Sequence, residues 1–150
     1  MRRREFITLL GGAAAWPLAA RAQQSAMPVI GFLDFGWPIP KVVAAFQKGL
    51  NETGYVEGRN LAIEFRWGQN DTTRLAELAT DLARRQVAVI VASNGTAALA
   101  ASTATKTIPI VFSTAGDPVQ MGLVANLNRP DGNATGIANM QMEVSAKIVA

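Results

Sequence analysis

The sequence predicts an α/β protein: a doubly wound parallel sheet of five strands with helices on both faces. Two observations lead to this fold class. Short apolar runs alternate along the chain with segments in which apolar residues recur at helical spacing. The strongest runs are apolar throughout, which suits strands that are covered on both faces. The alternation implies right-handed crossovers between parallel strands, and with five strands the expected order is 2-1-3-4-5.

The first half of the chain predicts two strands and two helices. Residues 28–33 (P-V-I-G-F-L) form a short apolar strand that ends before the breakers Gly36 and Pro38. Apolar residues at 42, 43, 46 and 50 then mark one face of an amphipathic helix, which Gly54 ends. Residues 61–67 alternate apolar and polar side chains, as in a strand nearer the sheet edge. Asp71 is placed to cap the helix that follows.

The second half predicts three strands and one helix. Residues 87–92 (V-A-V-I-V-A) carry the strongest buried-strand signal in the chain. An alanine-rich helix then runs through Ala104. Residues 108–112 (I-P-I-V-F) form the fourth strand, with Pro109 near its start, where a missing N–H matters least. Residues 135–140 predict a fifth and weaker strand.

The first 22 residues have the anatomy of an export signal. A charged start is followed by an apolar stretch at 9–20, which is too short to span about 30 Å of hydrocarbon, and by the small-x-small site Ala20-Arg21-Ala22. The segment R-R-E-F-I at 3–7 resembles the twin-arginine export motif, although Arg2 stands where that motif usually has Ser or Thr. We therefore expect a twin-arginine-type signal peptide at 1–22, cleaved near Ala22-Gln23. The mature chain is expected in the periplasm, with no stable membrane insertion.

Composition and charge exclude several classes of function. The net charge of +3 lies in the first 22 residues, since lysines and arginines balance the acidic residues from Gln23 onward. No basic patch is left, so we expect no nucleic-acid partner. The chain has no cysteine and no histidine, which removes disulfides, thiol nucleophiles, Cys/His zinc sites and His-based triads. It also lacks the glycine-rich and nucleophile motifs of nucleotide enzymes and hydrolases. We expect a protein that is not an enzyme and that has no cofactor.

A candidate ligand site follows from the predicted topology, because open parallel sheets bind ligands at the carboxyl ends of their strands, near the point where the strand order reverses. A glycine-containing loop that opens a helix presents free N–H groups to a carboxylate, and aromatic residues can form a wall. Asn94-Gly95 is equally a common turn pair, and Asp117-Pro118 equally fits a helix N-cap followed by proline at the first helical position. The candidate residues after strands one, three and four are Asp34, Phe35, Trp37, Ser93, Asn94, Gly95, Thr96, Thr114 and Asp117.

Several segments resemble one known family in the same order along the chain. They include G-Y-V-E-G-R-N at 54–60, I-E-F-R-W at 63–67, R-R-Q-V-A-V-I-V-A at 84–92, T-I-P-I-V-F at 107–112, G-D-P-V at 116–119 and L-N-R-P-D-G-N-A-T-G at 127–136. This pattern is similar to the ABC-transporter substrate-binding proteins, a family that includes tryptophan/tyrosine-type periplasmic binding proteins. The resemblance covers nearly all of residues 28–150.

The resemblance implies a two-lobed periplasmic binding protein of the first type that closes on a small ligand, often an aromatic amino acid. Its partner is then an ABC permease in the inner membrane, and its cleft contacts come from residues 34–37, 93–96 and 114–117. Such proteins have a second lobe after the fifth strand, whereas this sequence stops at Ala150, soon after a new amphipathic pattern begins at Glu143. We therefore expect an N-terminal ligand-binding lobe at 23–141 and the start of a crossover helix at 142–150.

The expected function is that of an exported solute-binding protein, present here as a fragment, which binds a small ligand in an interlobe cleft. Two alternatives stay open at this point. One is a stand-alone flavodoxin-like module with an enzymatic or signalling role, and the other is a non-functional truncated product.

Overall fold

The computed structural model describes residues 26–128 and 131–139, which form one sheet of five parallel strands in the order β2-β1-β3-β4-β5. The predicted fold class and strand order are confirmed. The expected signal peptide and the expected crossover segment lie outside the described residues. The elements are β1 (Val29–Asp34), α1 (Pro40–Glu52), β2 (Ala62–Trp67), α2 (Thr72–Arg84), β3 (Val89–Ala92), α3 (Gly95–Ala104), β4 (Ile110–Thr114) and β5 (Ala134–Ala138).

The main core lies between the sheet and helices α2 and α3. Leu82 of α2 is fully buried and lies over Gly31 of β1, where a Cβ atom would come within 2.9 Å of both Leu82 methyl groups. Helix α3 approaches the sheet closely because its inward residues Ala97, Ala98 and Ala101 are small and fully buried. The capping prediction for α2 is also confirmed, since Asp71 accepts hydrogen bonds from the backbone N–H groups at 73 and 74.

The opposite face of the sheet carries α1 and an aromatic cluster. Phe32 of β1 is 2% exposed, and its ring centroid lies 5.1 Å from Phe46, 5.4 Å from Phe65 and 5.6 Å from Trp67. The amphipathic pattern of α1 therefore predicted the helix, and Phe46 of its apolar face packs on the sheet, whereas Val42 of the same face is 41% exposed. The cover is thinner than on the other side, because α1 contains no fully buried residue.

Several strand boundaries differ from the prediction. Strands β3 and β4 begin two residues later, at Val89 and Ile110. Val87 is nevertheless buried, and Ile108 packs against the core. Their apolar side chains therefore reflect burial, and the two residues precede the paired part of each strand. At the other end, β1 and β4 include the polar residues Asp34 and Thr114, which pair in register with residues 67 and 138. A prediction that follows the apolar run ends the strand too early, because it omits polar residues that still pair with the neighbouring strand.

A closed network of charges joins the edge strand β2 to α2. Arg66 donates to Glu64 at 2.6 Å and to Asp81 at 3.1 Å, and Arg85 contacts the same two carboxylates at 3.3 and 3.2 Å. The hydrogen bond from Arg66 lowers the pKa of Asp81 below its usual value of 3.8, and the charges of Arg85 and Arg66 act in the same direction against partial desolvation. Paired charges on an edge strand also discourage pairing with another chain.

This network predicts a small acid-dependent loss of stability. Because folding lowers the pKa of Asp81, its contribution is complete above the unfolded-state value of 3.8 and disappears as the pH falls through the folded-state value. Asp81→Asn is therefore expected to reduce the pH dependence of the free energy of unfolding in that acid range. Urea unfolding on both sides of pH 3.8 measures this effect, and high salt should shrink it because exposed pairs are screened. Parallel curves for parent and variant would show that the network is not linked to folding.

Candidate functional site

The carboxyl ends of β1 and β3 are joined through Asp34 and Ser93. The Ser93 hydroxyl donates to Asp34 Oδ2 and lies 3.3 Å from the Leu33 carbonyl oxygen, which also accepts from the Ser93 N–H at 3.1 Å. The other carboxylate oxygen, Oδ1, accepts from the Gly36 N–H. Both oxygens of Asp34 are thus engaged within the protein. Asp34 lies in the predicted site, where it holds the loop that follows β1.

The two aromatic residues of that loop have different environments. Phe35 is half-buried and packs against the hydrophobic core. Trp37 is 57% exposed. The expected wall of two aromatic residues is therefore divided: Phe35 anchors the loop, and Trp37 presents its ring to the surface at this end of the sheet.

The turn between β2 and α2 supports the same loop, and sequence reasoning missed it. The N–H groups of Gly68, Gln69 and Asn70 donate to the carbonyl oxygens at 34, 36 and 35, at 2.8 to 2.9 Å. Gly68 is required by this close approach, since a Cβ atom there would lie 2.8 Å from the carbonyl oxygen of Phe35. Gln69 and Asn70 adopt positive φ angles of 55° and 61°. The run G-Q-N-D was the available signal, because glycine and asparagine favour such turns.

Helix α3 begins at the second candidate loop, the one after β3, and Asn94 is its N-cap. The Asn94 side chain accepts from the Ala97 N–H at 2.9 Å, and its backbone carbonyl accepts from the Ala98 N–H at 3.0 Å. The N–H groups of Gly95 and Thr96 belong to the first turn, whose donors have no partner inside a helix. Thr96 also lines a groove of about 320 Å³ between α2 and α3, together with Leu99 of α3.

The loop after β4 is built around a buried threonine. Thr114 is 5% exposed, and its hydroxyl accepts from the Gly116 N–H at 3.1 Å. Gly95 of α3 lies beside it, since a Cβ atom at that position would be 3.0 Å from Thr114 Oγ1. The backbone carbonyl of Thr114 accepts from the Asn139 N–H at 2.8 Å, which extends the same edge to β5.

Asp117 caps a single turn and not the helix that its pairing with Pro118 predicts. Its Oδ1 accepts from the Val119 N–H at 2.8 Å, and its carbonyl accepts from the Met121 N–H at 3.0 Å. The turn ends at Gly122, whose φ of 75° lies outside the right-handed helical region. The capping interpretation of Asp117-Pro118 thus holds for a turn, and no helix follows because of this left-handed residue one turn later.

The structure thus brings five of the nine predicted site residues into one line at the carboxyl ends of β1, β3 and β4. The other four lie around this line. None of the helices in the described part of the chain is long and apolar enough to cross a membrane. Residues 26–128 and 131–139 also contain no cluster of three or more acidic side chains that would hold a metal ion. The line runs through Asp34, Ser93, Asn94, Gly95 and Thr114, with Phe35, Trp37, Thr96 and Asp117 at its margins.

Residues 38–148 match the family of ABC transporter substrate binding proteins. This chain belongs to that family. The resemblance drawn from the sequence motifs is therefore confirmed, and the family is one of binding proteins. A relative described as a tyrosine-binding protein, from Clostridioides difficile, is 36% identical over 101 residues, which make up 67% of this chain and 29% of the relative. The chain thus spans less than a third of the length of that family relative.

Three solved structures share the fold of the described residues. A ligand-free, open substrate-binding protein with adhesive properties from Clostridium difficile superposes with a TM-score of 0.69 at 32% identity, covering 74% of this chain and 38% of its own. A protein from Streptococcus pneumoniae in complex with L-Trp gives 0.68 at 28% identity, covering 75% and 39%. A conserved domain protein from Vibrio cholerae gives 0.74 at 28% identity, covering 83% and 43%.

Proposed function

We propose that this chain forms one wall of the amino-acid site of an exported binding protein that serves an ABC importer. The observation that carries this proposal is the capped start of α3. Asn94 closes the helix, the first-turn N–H groups of Gly95 and Thr96 are directed out of it, and Ser93 and Thr114 lie beside them. A helix N-terminus with free donors and a positive dipole end is suited to the carboxylate of a free amino acid.

The remaining parts of an amino acid find matching groups at the margins of the site. Asp117 uses Oδ1 to cap its own turn, and its negative charge is available to the ligand ammonium group. The exposed ring of Trp37 offers an apolar surface to an aromatic side chain. An aromatic ligand is supported by the two relatives that are described as tyrosine-binding and as complexed with L-Trp. Since those relatives are longer, the opposite wall of the cleft is proposed to come from a second lobe, and closure of the lobes to exclude water.

A chimera tests this function directly. Residues 26–139 of this chain would replace the matching segment of the Clostridioides tyrosine-binding protein, and calorimetry would follow titration with L-tyrosine and L-tryptophan. We expect the chimera to bind at least one of the two, and the 150-residue chain alone to bind weakly or not at all, because half of the contacts are then missing. A correctly folded chimera that binds neither amino acid would contradict the proposal, and so would equally tight binding by the chain alone.

The role of Asn94 is tested by two substitutions that separate capping from binding. Asn94→Ala removes the cap and is expected to lower the free energy of unfolding by about 1 kcal/mol. Asn94→Asp keeps a good capping oxygen but places a negative charge beside the ligand carboxylate. It is therefore expected to leave stability almost unchanged and to weaken ligand binding by the chimera at least about tenfold, or about 1.4 kcal/mol. Unchanged affinity in Asn94→Asp would remove this loop from the site.

Export is the second part of the proposal and concerns residues outside the described ones. The R-R-E-F-I segment supports a twin-arginine route to the periplasm, where an inner-membrane ABC permease would receive the ligand. Mass spectrometry of periplasmic protein is expected to find a mature N-terminus at Gln23. The double substitution Arg3→Lys, Arg4→Lys is expected to leave the precursor in the cytoplasm. Unchanged export of that variant would contradict the twin-arginine route.

A further inference from the structure

The side chain of Met121 lies between the loop that opens α3 and the loop that follows β4. A Cβ atom built on Gly95 would overlap the Met121 methyl group, and one built on Gly116 would lie 3.1 Å from its sulfur. The sulfur is also 3.4 Å from the hydroxyl oxygen of Thr114. Met121 is half-buried and packs against the hydrophobic core. One thioether thus contacts three residues from the two loops that carry the proposed site.

The two glycines are explained by this side chain and not by their backbone angles. Gly54, Gly58, Gly122 and Gly132 are the described glycines with positive φ, and neither Gly95 nor Gly116 is among them. Gly95 is the first residue of α3, where alanine would ordinarily be the better helix former. What both positions provide is space for the thioether. Methionine suits such an irregular slot, because its side chain is unbranched and polarizable.

We propose that Met121 is a positioning residue for ligand binding: it holds the start of α3 against the loop after β4, and so sets the distance between the donors of Gly95 and Thr96 and the carboxylate of Asp117. This inference rests on the proposed function of that edge. Met121 does not itself have to touch the ligand. Its own N–H, bonded to the Asp117 carbonyl at 3.0 Å, connects its position directly to the turn that carries that carboxylate.

The first test needs no ligand and uses the 150-residue chain. Two amides report on the two loops: the Ala97 N–H, bonded to the Asn94 side chain, and the Gly116 N–H, bonded to the Thr114 hydroxyl. In Met121→Ala both amides are expected to exchange with solvent at least about tenfold faster. Met121→Leu should retain most of the protection, since it conserves volume. Leu78→Ala is the matched control, because Leu78 is also half-buried against the core but lies on α2. It should leave both amides as they are in the parent.

A double substitution gives a second signal, which does not depend on hydrogen exchange. In the parent, Gly95→Ala is expected to lower the melting temperature, because the new methyl group meets the thioether. In the Met121→Ala background the same change is expected to lower it clearly less, because the thioether is gone and only the Thr114 hydroxyl oxygen, 3.0 Å from the new methyl group, still opposes it. Gly95→Ala alone keeps the methionine, so its own effect can be measured even where Met121→Ala folds poorly. Equal effects of Gly95→Ala in both backgrounds would overturn the proposal.

The ligand arm separates this inference from the proposed function. In the chimera, Met121→Ala is expected to weaken binding of L-tyrosine or L-tryptophan about tenfold, whereas Leu78→Ala lowers the melting temperature without changing affinity. If the parent chimera binds neither amino acid, the proposed function fails, and the exchange and double-substitution results still decide whether Met121 couples the loops. If the parent binds and Met121→Ala binds equally well, the positioning role is wrong.

Discussion

Phe32→Ala is expected to lower the free energy of unfolding by about 3–5 kcal/mol, the range for removing a buried phenylalanine ring from a core. Phe32 is 2% exposed and lies at the centre of the aromatic cluster with Phe46, Phe65 and Trp67. Its removal takes away the contact with Phe46 of α1, and α1 has no fully buried residue to compensate. Urea unfolding followed by circular dichroism measures the loss.

Trp37→Ala is the matched control for that measurement. The Trp37 ring is 57% exposed, so its removal is expected to change the free energy of unfolding by no more than about 0.5 kcal/mol. In the chimera, by contrast, it should weaken binding of an aromatic amino acid. A loss below about 1 kcal/mol for Phe32→Ala would show that the cluster is not packed as described.

Gly136→Ala is expected to lower the free energy of unfolding by about 3 kcal/mol, at the upper end of what overpacking costs. Gly136 of β5 is in register with Phe112 of β4, and an added Cβ atom would overlap the Phe112 carbonyl oxygen and contact its ring at 2.7 Å. The carbonyl belongs to the backbone of a paired strand and cannot move aside without breaking the ladder.

The same substitution at Gly49 is expected to have the opposite sign. Gly49 lies inside α1, has no positive φ and would place its Cβ atom in open space. Alanine there is expected to stabilise the protein by up to about 1 kcal/mol, because glycine in a helix interior loses more conformational freedom on folding. Comparing Gly→Ala at these two positions thus separates the close packing of β4 against β5 from the general effect of replacing glycine by alanine. A mild effect at Gly136 would contradict the close approach of the two strands.

The overall fold followed from local patterns in the sequence. Apolar runs, helical spacing and caps such as Asp71 are properties of a few neighbouring residues, and each acts in the same way wherever the segment lies. The handedness of the crossovers then restricts how such segments assemble, and the order 2-1-3-4-5 expected for a doubly wound sheet of five strands is the one observed. The family was also predictable, because several motifs occur in order over most of the chain.

The roles of individual site residues were less predictable. Asp34 was predicted from its place after β1, but the bonds of its two carboxylate oxygens to Gly36 and Ser93 were not, because Ser93 is 59 residues away in sequence. Phe35 and Trp37 lie two residues apart in the same loop, but one packs on the core and the other is exposed. Asp117 caps a single turn, because the chain leaves the helical conformation at Gly122. The Asp-Pro pair by itself does not predict where that happens.

The sequence by itself therefore determined the elements of this protein and their order in the sheet, because periodicity and capping are encoded locally and crossover handedness restricts how the elements assemble. Only the tertiary structure decided what each side chain at the carboxyl ends of the strands contacts. Asp34 with Ser93, Gly68 with Phe35, and Met121 with Gly95 meet through distances between segments that are remote along the chain. Such distances depend on how the strands and loops pack together, and no single segment of the sequence carries them.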